Sequence, residues 1–162
     1  MNRILDIKGL GCLSFRKGTL DDLETVIDID ESLFPDGQSY DAETFFFYLM
    51  DHQTDVIIVE LENKIVGFLI FRPQSHIAGC VVSIDVVKEF QSKGIGSALL
   101  EVAESLSLKM SHATMILQTP VDNSHTIHFY EKRSYKKTRR IHGYYQDGTG
   151  AWEMEKCLLK VE

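Results

Sequence analysis

Apolar and polar positions change period several times along the chain, and each change predicts an element. LSFRKGT (Leu13–Thr19) alternates, as a half-buried strand does. Thr19 then stands where a helix cap belongs, with Asp21 and Asp22 in the first turn, where acids suit the helix dipole. Leu23, Val26, Ile27 and Phe34 give that helix its apolar positions, and the pattern breaks at Pro35-Asp36-Gly37. A second helix over Asp41–Asp51 carries Phe45, Phe46, Phe47, Tyr48 and Leu49, an aromatic cluster that reads as core and pocket wall. DVIIVEL (Asp55–Leu61) and KIVGFLIFRP (Lys64–Pro73) are β-branched runs flanking Glu62-Asn63, which predicts a hairpin. CVVSIDVV (Cys80–Val87) is a further apolar run and reads as a central strand. A helix over Gly94–Met110 follows, with Ile95, Ala98, Leu99, Val102 and Leu106 at helical spacing. TMILQTP (Thr114–Pro120) is the next strand, and Asn123 and Ser124 can cap a helix containing Ile127, Phe129 and Tyr130. KKTRRIHGYY and AWEMEKCLL close the chain as a hairpin around Gln146–Gly150. This alternation of strands and helices predicts a mixed seven-stranded α/β sheet with helices on both faces.

The length of 162 residues fits one domain spanning 1–162. No long apolar run or secretory leader pattern is present, so no membrane association is expected. Cys12, Cys80 and Cys157 are far apart and form no CxxC pair, which predicts neither a zinc site nor a disulfide framework and points to a cytoplasmic setting. A net charge of −7 argues against nucleic acid as a partner. It suits a cationic partner such as an amine or basic peptide, although solubility alone also accounts for it. His125 and His128 share a helix face but lack a third ligand, so no metal is expected.

The stretch FQSKGIGSALL (Phe90–Leu100) places Gly94 and Gly96 at the mouth of a helix, directly after an apolar strand. Free backbone N–H groups and the positive dipole end make such a turn an anion site suited to a phosphate. A flexible hinge and a plain helix start are the competing readings. The stretch is neither a Walker A loop, which ends in GK[ST], nor the dinucleotide fingerprint, whose third glycine would fall at Leu99.

Gln91-Ser92-Lys93-Gly94-Ile95-Gly96 resembles the Q/R-x-x-G-x-G/A signature of the GNAT superfamily of acyl-CoA-dependent N-acetyltransferases. NSHTIHFYEKRSYKK (Asn123–Lys137) is similar to the same family's N-x-x-A-x-x-x-Y-E-K-x-G-F segment, with Ser134-Tyr135 in place of Gly-Phe. RRIHGYYQDGTGAWEME (Arg139–Glu155) and SLFPDGQSYDAETFFFYL (Ser32–Leu49) resemble the branch that acetylates protein N-termini, which includes the ribosomal-protein alanine acetyltransferases. The branch's acid shortly after the hairpin turn is replaced here by Gly150-Ala151.

The resemblance implies a single-domain GNAT fold with a V-shaped splay between the fourth and fifth strands. Acetyl-CoA would lie in that gap as co-substrate. Backbone at Asp85, Val86 and Val87 would bind its pantetheine arm and polarise the acetyl carbonyl. Gln91, Ser92, Lys93, Gly94, Ile95, Gly96 and Ser97 would hold the pyrophosphate, with Asn123 and Tyr130 facing the cofactor from the other side. Tyr130 stands at the family's general-acid position. The strand position that often carries Glu or His is Gln118, which cannot accept a proton. Asp85 and Asp36 are the candidates for a base, with a water chain as the alternative. Asp36, Gln118, Tyr144 and Tyr145 are the expected substrate contacts.

The implied activity is acetyl transfer to a primary amine, foremost the α-amine of a protein or peptide, by direct attack in a ternary complex. The alternatives are a small-molecule amine acetyltransferase, acting on a polyamine, amino acid or antibiotic, and a non-catalytic acyl-CoA-binding module. A monomer or weak homodimer is expected.

Overall fold

The computed structural model describes residues 3–7, 10–34 and 37–159. The strands are Arg3–Ile7 (β1), Gly11–Lys17 (β2), Asp55–Leu61 (β3), Lys64–Pro73 (β4), Ala78–Val86 (β5), Thr114–Pro120 (β6), Lys136–Ile141 (β7) and Ala151–Cys157 (β8). The helices are Leu23–Leu33 (α1), Ala42–Met50 (α2), Ile95–Lys109 (α3) and Ser124–Glu131 (α4). The strands form one sheet in the order β1-β2-β3-β4-β5-β6-β8-β7. The sheet thus has eight strands among the described residues, where the sequence pattern predicts seven. The added strand is β1, which pairs antiparallel with β2 from Arg3↔Phe15 to Ile7↔Gly11.

Helices cover both faces. On one, α1 and α2 bring Val26, Ile29 and Phe45 against Val56, Ile58, Phe68 and Ile70 of the central hairpin. On the other, α3 and α4 bring Ile95, Leu99, Val102 and Ile127 against Ile57, Val59, Leu69, Leu117 and Met154. Val56 to Val59 are all buried, at 3% exposure or less, because β3 is sandwiched between the two layers. This is why its sequence reads as a continuous apolar run rather than an alternating one.

One interruption of the sheet makes the site. β5 and β6 run parallel and pair only from Ala78↔Thr114 to Val81↔Leu117. Beyond that point β5 continues to Val86 and β6 to Pro120 with no pairing between them. β6 stays held by β8 along its whole length, from Thr114↔Cys157 to Pro120↔Ala151. β4 and β5 shift register between Ile70 and Phe71. A bulge of this kind bends a strand and raises its local twist. The two strands therefore diverge, and the splay falls between the two strands where it is expected.

Candidate active site

The gap between β5 and β6 opens into two clefts. One is lined by residues that include Asp30, Phe34, Tyr40, Ser83, Ile84, Gln118, Asn123, Tyr130, Tyr144 and Tyr145. The other, of about 360 Å³, is lined by Ile84, Val86, the Gln91–Ser97 loop except Lys93 and Ile95, and α4 with its C-terminal neighbours Lys132 and Arg133. Ile84, Thr126 and Tyr130 belong to both, so the clefts meet at the Tyr130 ring.

The second cleft presents the mouth of α3, where backbone N–H groups lack helical partners. Ser92 (φ 59°) and Gly94 (φ 90°) both hold left-handed backbone, which turns successive N–H groups toward one concave side. Gly94 is the N-cap of α3, which has no side-chain cap and no acidic residue in its first turn. The N–H groups at that end are therefore left for a ligand. A Cβ at Gly96 would come within 3.4 Å of the Phe129 ring and narrow the cleft between loop and α4. Gln91 ties the loop to the strand end by donating from Nε2 to the Val86 carbonyl at 2.9 Å. Ile95 is buried in the core, and Lys93 leans over the Phe90 ring rather than lining the cleft.

Arg133 adds a positive charge that the sequence motifs did not single out. Its guanidinium carbon lies 3.7 Å from the Phe129 ring centroid. It donates from Nη1 to the Phe129 carbonyl at 2.6 Å and from Nη2 to the Ser97 hydroxyl. Arg133 stands in the turn that follows α4, where its N–H donates to the Tyr130 carbonyl at 2.9 Å and its side chain folds back over Phe129.

The strand edge sorts the expected pantetheine contacts. Val87 donates its N–H to the Val66 carbonyl at 2.9 Å. A Cβ at Gly67 would lie 2.5 Å from the Asp85 carbonyl oxygen, so that oxygen also points at β4. Backbone groups alternate sides along a strand, so those of Ile84 and Val86 face the gap. Of the three residues Asp85, Val86 and Val87, the backbone that faces the gap is that of Val86, whose carbonyl Gln91 holds and whose N–H is left, and Ile84 joins it.

The Asp85 side chain is 1% exposed and lines neither cleft. Its Oδ2 accepts from Ser83 Oγ at 3.0 Å, while Oδ1 is buried without a partner among the described residues. Burial, and then the charge of Asp30, hold its pKa well above the ordinary carboxylate range. Enclosed in this way, the Asp85 carboxyl stands apart from both cleft linings. Asp36 lies outside the described residues. Its neighbours Phe34 and Gln38 line the first cleft.

Asn123 lines the first cleft rather than the loop cleft, and its carbonyl oxygen caps α4 by accepting from the Thr126 N–H at 3.1 Å. Gln118 donates from Nε2 to Glu153 Oε2 at 3.1 Å, directly across the β6–β8 pair. Glu153 is held in turn by Arg139, at 3.0 Å. With its amide nitrogen committed, Gln118 keeps its carbonyl oxygen as an acceptor.

Tyr144 and Tyr145 stack edge to face at 4.9 Å in the β7–β8 loop. That loop rests on the α1–α2 connection, where the Gln146 N–H donates to the Gly37 carbonyl at 3.1 Å and Gln38 donates to Asp147 at 2.8 Å. The two connections together roof the first cleft.

Tyr130 is 4% exposed, wedged edge-on between Phe129 at 5.1 Å and Tyr135 at 5.7 Å. Its hydroxyl makes no hydrogen bond to the described residues. Burial first, then the charges of Asp85 and Tyr145, push its pKa above the ordinary phenol value. It is a protonated donor at the junction of two clefts.

Asp30, like Arg133, is a residue that sequence reasoning missed. It ends up 1% exposed on α1, lining the first cleft, with Oδ2 accepting from the Tyr40 N–H at 2.9 Å. Burial pushes its pKa up to about 6, against the lowering effect of that hydrogen bond. Among the described residues no cluster of three or more metal-ligating side chains forms, and no helix is long and apolar enough to cross a membrane.

Residues 23–135 match the family described as Acetyltransferase (GNAT) family. An N-alpha-acetyltransferase of Saccharolobus solfataricus is 29% identical over 159 residues, covering 90% of this chain and 93% of that protein. The fold is shared with the ribosomal-protein-S18-alanine N-acetyltransferase of Escherichia coli, at TM-score 0.79 and 21% identity over 93% of this chain and 96% of that one. It is also shared with NAA60 of Arabidopsis thaliana in complex with acetyl-CoA, at TM-score 0.78 and 18% identity over 90% and 98% of the two chains.

Proposed function

Because the chain belongs to the acetyltransferase (GNAT) family and is an acetyl-CoA-dependent N-acetyltransferase, we propose that its acceptor is the N-terminal α-amine of a protein or peptide. The observation that carries this reading is the pair of clefts meeting at Tyr130, one opening on the uncapped mouth of α3 and the other lined by aromatic residues. A chain end can enter the aromatic-lined cleft with its first residue against Phe34, Tyr40 and Tyr144. The likeness to an N-alpha-acetyltransferase along nearly the whole chain supports the same acceptor class.

The residues divide the work as follows. Loop N–H groups from Ser92 to Ser97, with Arg133 beside them, hold the diphosphate. The gap-facing backbone of Ile84 and Val86 takes the pantetheine arm as an added strand, and its N–H groups stabilise the oxyanion. Bound acetyl-CoA supplies an activated thioester. Tyr130 donates a proton to the departing thiolate, which leaves more readily as the thiol. Gln118 and the Tyr144-Tyr145 loop orient the acceptor backbone, and Asp36 stands in the connection at the cleft's rim. We place the enzyme in the cytoplasm as a monomer or weak homodimer. Free thiols at exposed Cys12 and Cys157 are in keeping with a reducing compartment.

The test is CoA thiol release from acetyl-CoA with peptides that differ at residue one, and with spermidine. Release with peptides, dependent on the first residue and lost when the α-amine is blocked, is expected. Release with spermidine alone would move the acceptor to small amines.

A further inference from the structure

We propose that Asp30 is the proton acceptor of the acceptor cleft, taking up the proton that the attacking amine gives up and filling the role for which position 118 carries a glutamine. The inference rests on the reading of the first cleft as the amine site.

Among the described residues lining that cleft, Asp30 is the one carboxyl, and none of them is Lys, Arg or His. An amine entering the cleft meets a single carboxyl there. The carboxyl is held in place from one side only, because Oδ2 accepts from the Tyr40 N–H while Oδ1 has no hydrogen bond to the described residues. A base needs a rigid mounting and one free lone-pair edge, and this arrangement provides both.

Its titration suits the task. Burial is the main cause that lifts its pKa to about 6, and the neighbouring Glu31 on α1 adds to it. The other titratable groups on that side are Asp85 on β5 and the hydroxyls of Tyr40, Tyr130, Tyr144 and Tyr145. The four phenols are raised by burial and stay neutral. Asp30 is thus ionised at neutral pH yet close enough to it to accept a proton effectively.

The step balances without any further reactant. The neutral amine's lone pair forms the C–N bond to the thioester carbonyl carbon, and the nitrogen becomes positively charged. Asp30 takes one N–H proton. The C–S bond breaks, the sulfur leaves with the electron pair, and Tyr130 supplies its proton. Net proton transfer from the carboxyl of Asp30 to the phenolate through solvent restores both groups.

The experiment compares wild type with Asp30→Asn, Asp36→Asn and Asp85→Asn, using the best acceptor amine found for the wild type. An asparagine at position 30 can still accept from the Tyr40 N–H, so the fold is retained, and unchanged CoA affinity checks this. The expected result for Asp30→Asn is a loss of roughly a hundredfold or more in kcat/KM. The pH profile gives the signature that a structural role would not. Below pH about 6, log kcat/KM of the wild type should rise with slope two, one for Asp30 and one for an amine of pKa about 8. In Asp30→Asn the slope should be one throughout, while Asp85→Asn should keep slope two. Near-normal activity of Asp30→Asn, or loss of the second slope in Asp36→Asn instead, would overturn the proposal. A change in the preferred amine class would revise the acceptor reading and leave the role of Asp30 decided by these variants.

Discussion

Replacing Tyr130 with phenylalanine removes one oxygen from the point where the two clefts meet. The ring's packing survives, because Phe129 and Tyr135 hold it edge-on at 5.1 and 5.7 Å and those contacts need no hydroxyl. The hydroxyl makes no hydrogen bond to the described residues, so stability should change by less than about 1 kcal/mol. Burial keeps the phenol protonated across the working range, and the donor is present at every pH at which the enzyme is assayed. A positioned general acid contributes roughly 10²- to 10⁴-fold. At about 1.36 kcal/mol per tenfold, that corresponds to about 2.7–5.4 kcal/mol of barrier. The assay is kcat from thiol release at saturating acetyl-CoA, with CoA affinity measured by calorimetry alongside. The expected outcome is a fall in kcat of roughly a hundredfold or more with CoA affinity held within about threefold. If kcat of Tyr130→Phe stays within about threefold of wild type, Tyr130 is a wall of the clefts and the thiolate leaves unassisted.

Two other outcomes follow from the same geometry. Arg133→Gln should weaken CoA binding roughly tenfold and flatten its salt dependence, since it removes a stacked guanidinium beside the Ser97 end of the loop. Binding of pantetheine, which lacks the diphosphate, should not change, and an equal loss for both ligands would show that Arg133 only shapes the cleft. Asp22 carries a pH-dependent part of the stability, because the Arg16 guanidinium at 2.8 Å holds its carboxyl below the usual range. A depressed folded-state pKa contributes stability above the unfolded value and loses it as pH falls through the folded one. Asp22→Asn should therefore cost about 2 kcal/mol at pH 5 to 8, and the gap in Tm should close below pH about 4. A gap that is constant down to pH 2 would remove Arg16–Asp22 from the account of acid stability.

How far these features were legible in the sequence differs from residue to residue. β3, β4 and β6 begin and end where their apolar runs do, because buried strands must be apolar at successive positions and turn residues bound them. β1 escaped because an edge strand buries little. Ile4 is 74% exposed, and RILDI holds no full alternation. The Gly94 turn was readable, since a left-handed residue at a helix mouth calls for glycine. For Asp85 the strand position was legible but the burial was not, because burial depends on what packs around β5 and not on the strand's own residues.

Asp30 marks the boundary most clearly. In IDIDESL it stands among Asp28 and Glu31 as one more acid on a helix, and nothing local separates it from solvated neighbours. It comes to line a cleft with Ser83, Gln118 and Tyr144, each more than fifty residues away in the chain, only once the chain has folded. By itself the sequence determined every element but β1, the helix-mouth turn and the family, because periodicity, backbone sterics and turn chemistry act within a few residues. The tertiary structure alone decided which carboxyl meets the cleft and which strand edge faces the gap. Desolvation and pleat direction depend on segments that are neighbours only after the chain has folded.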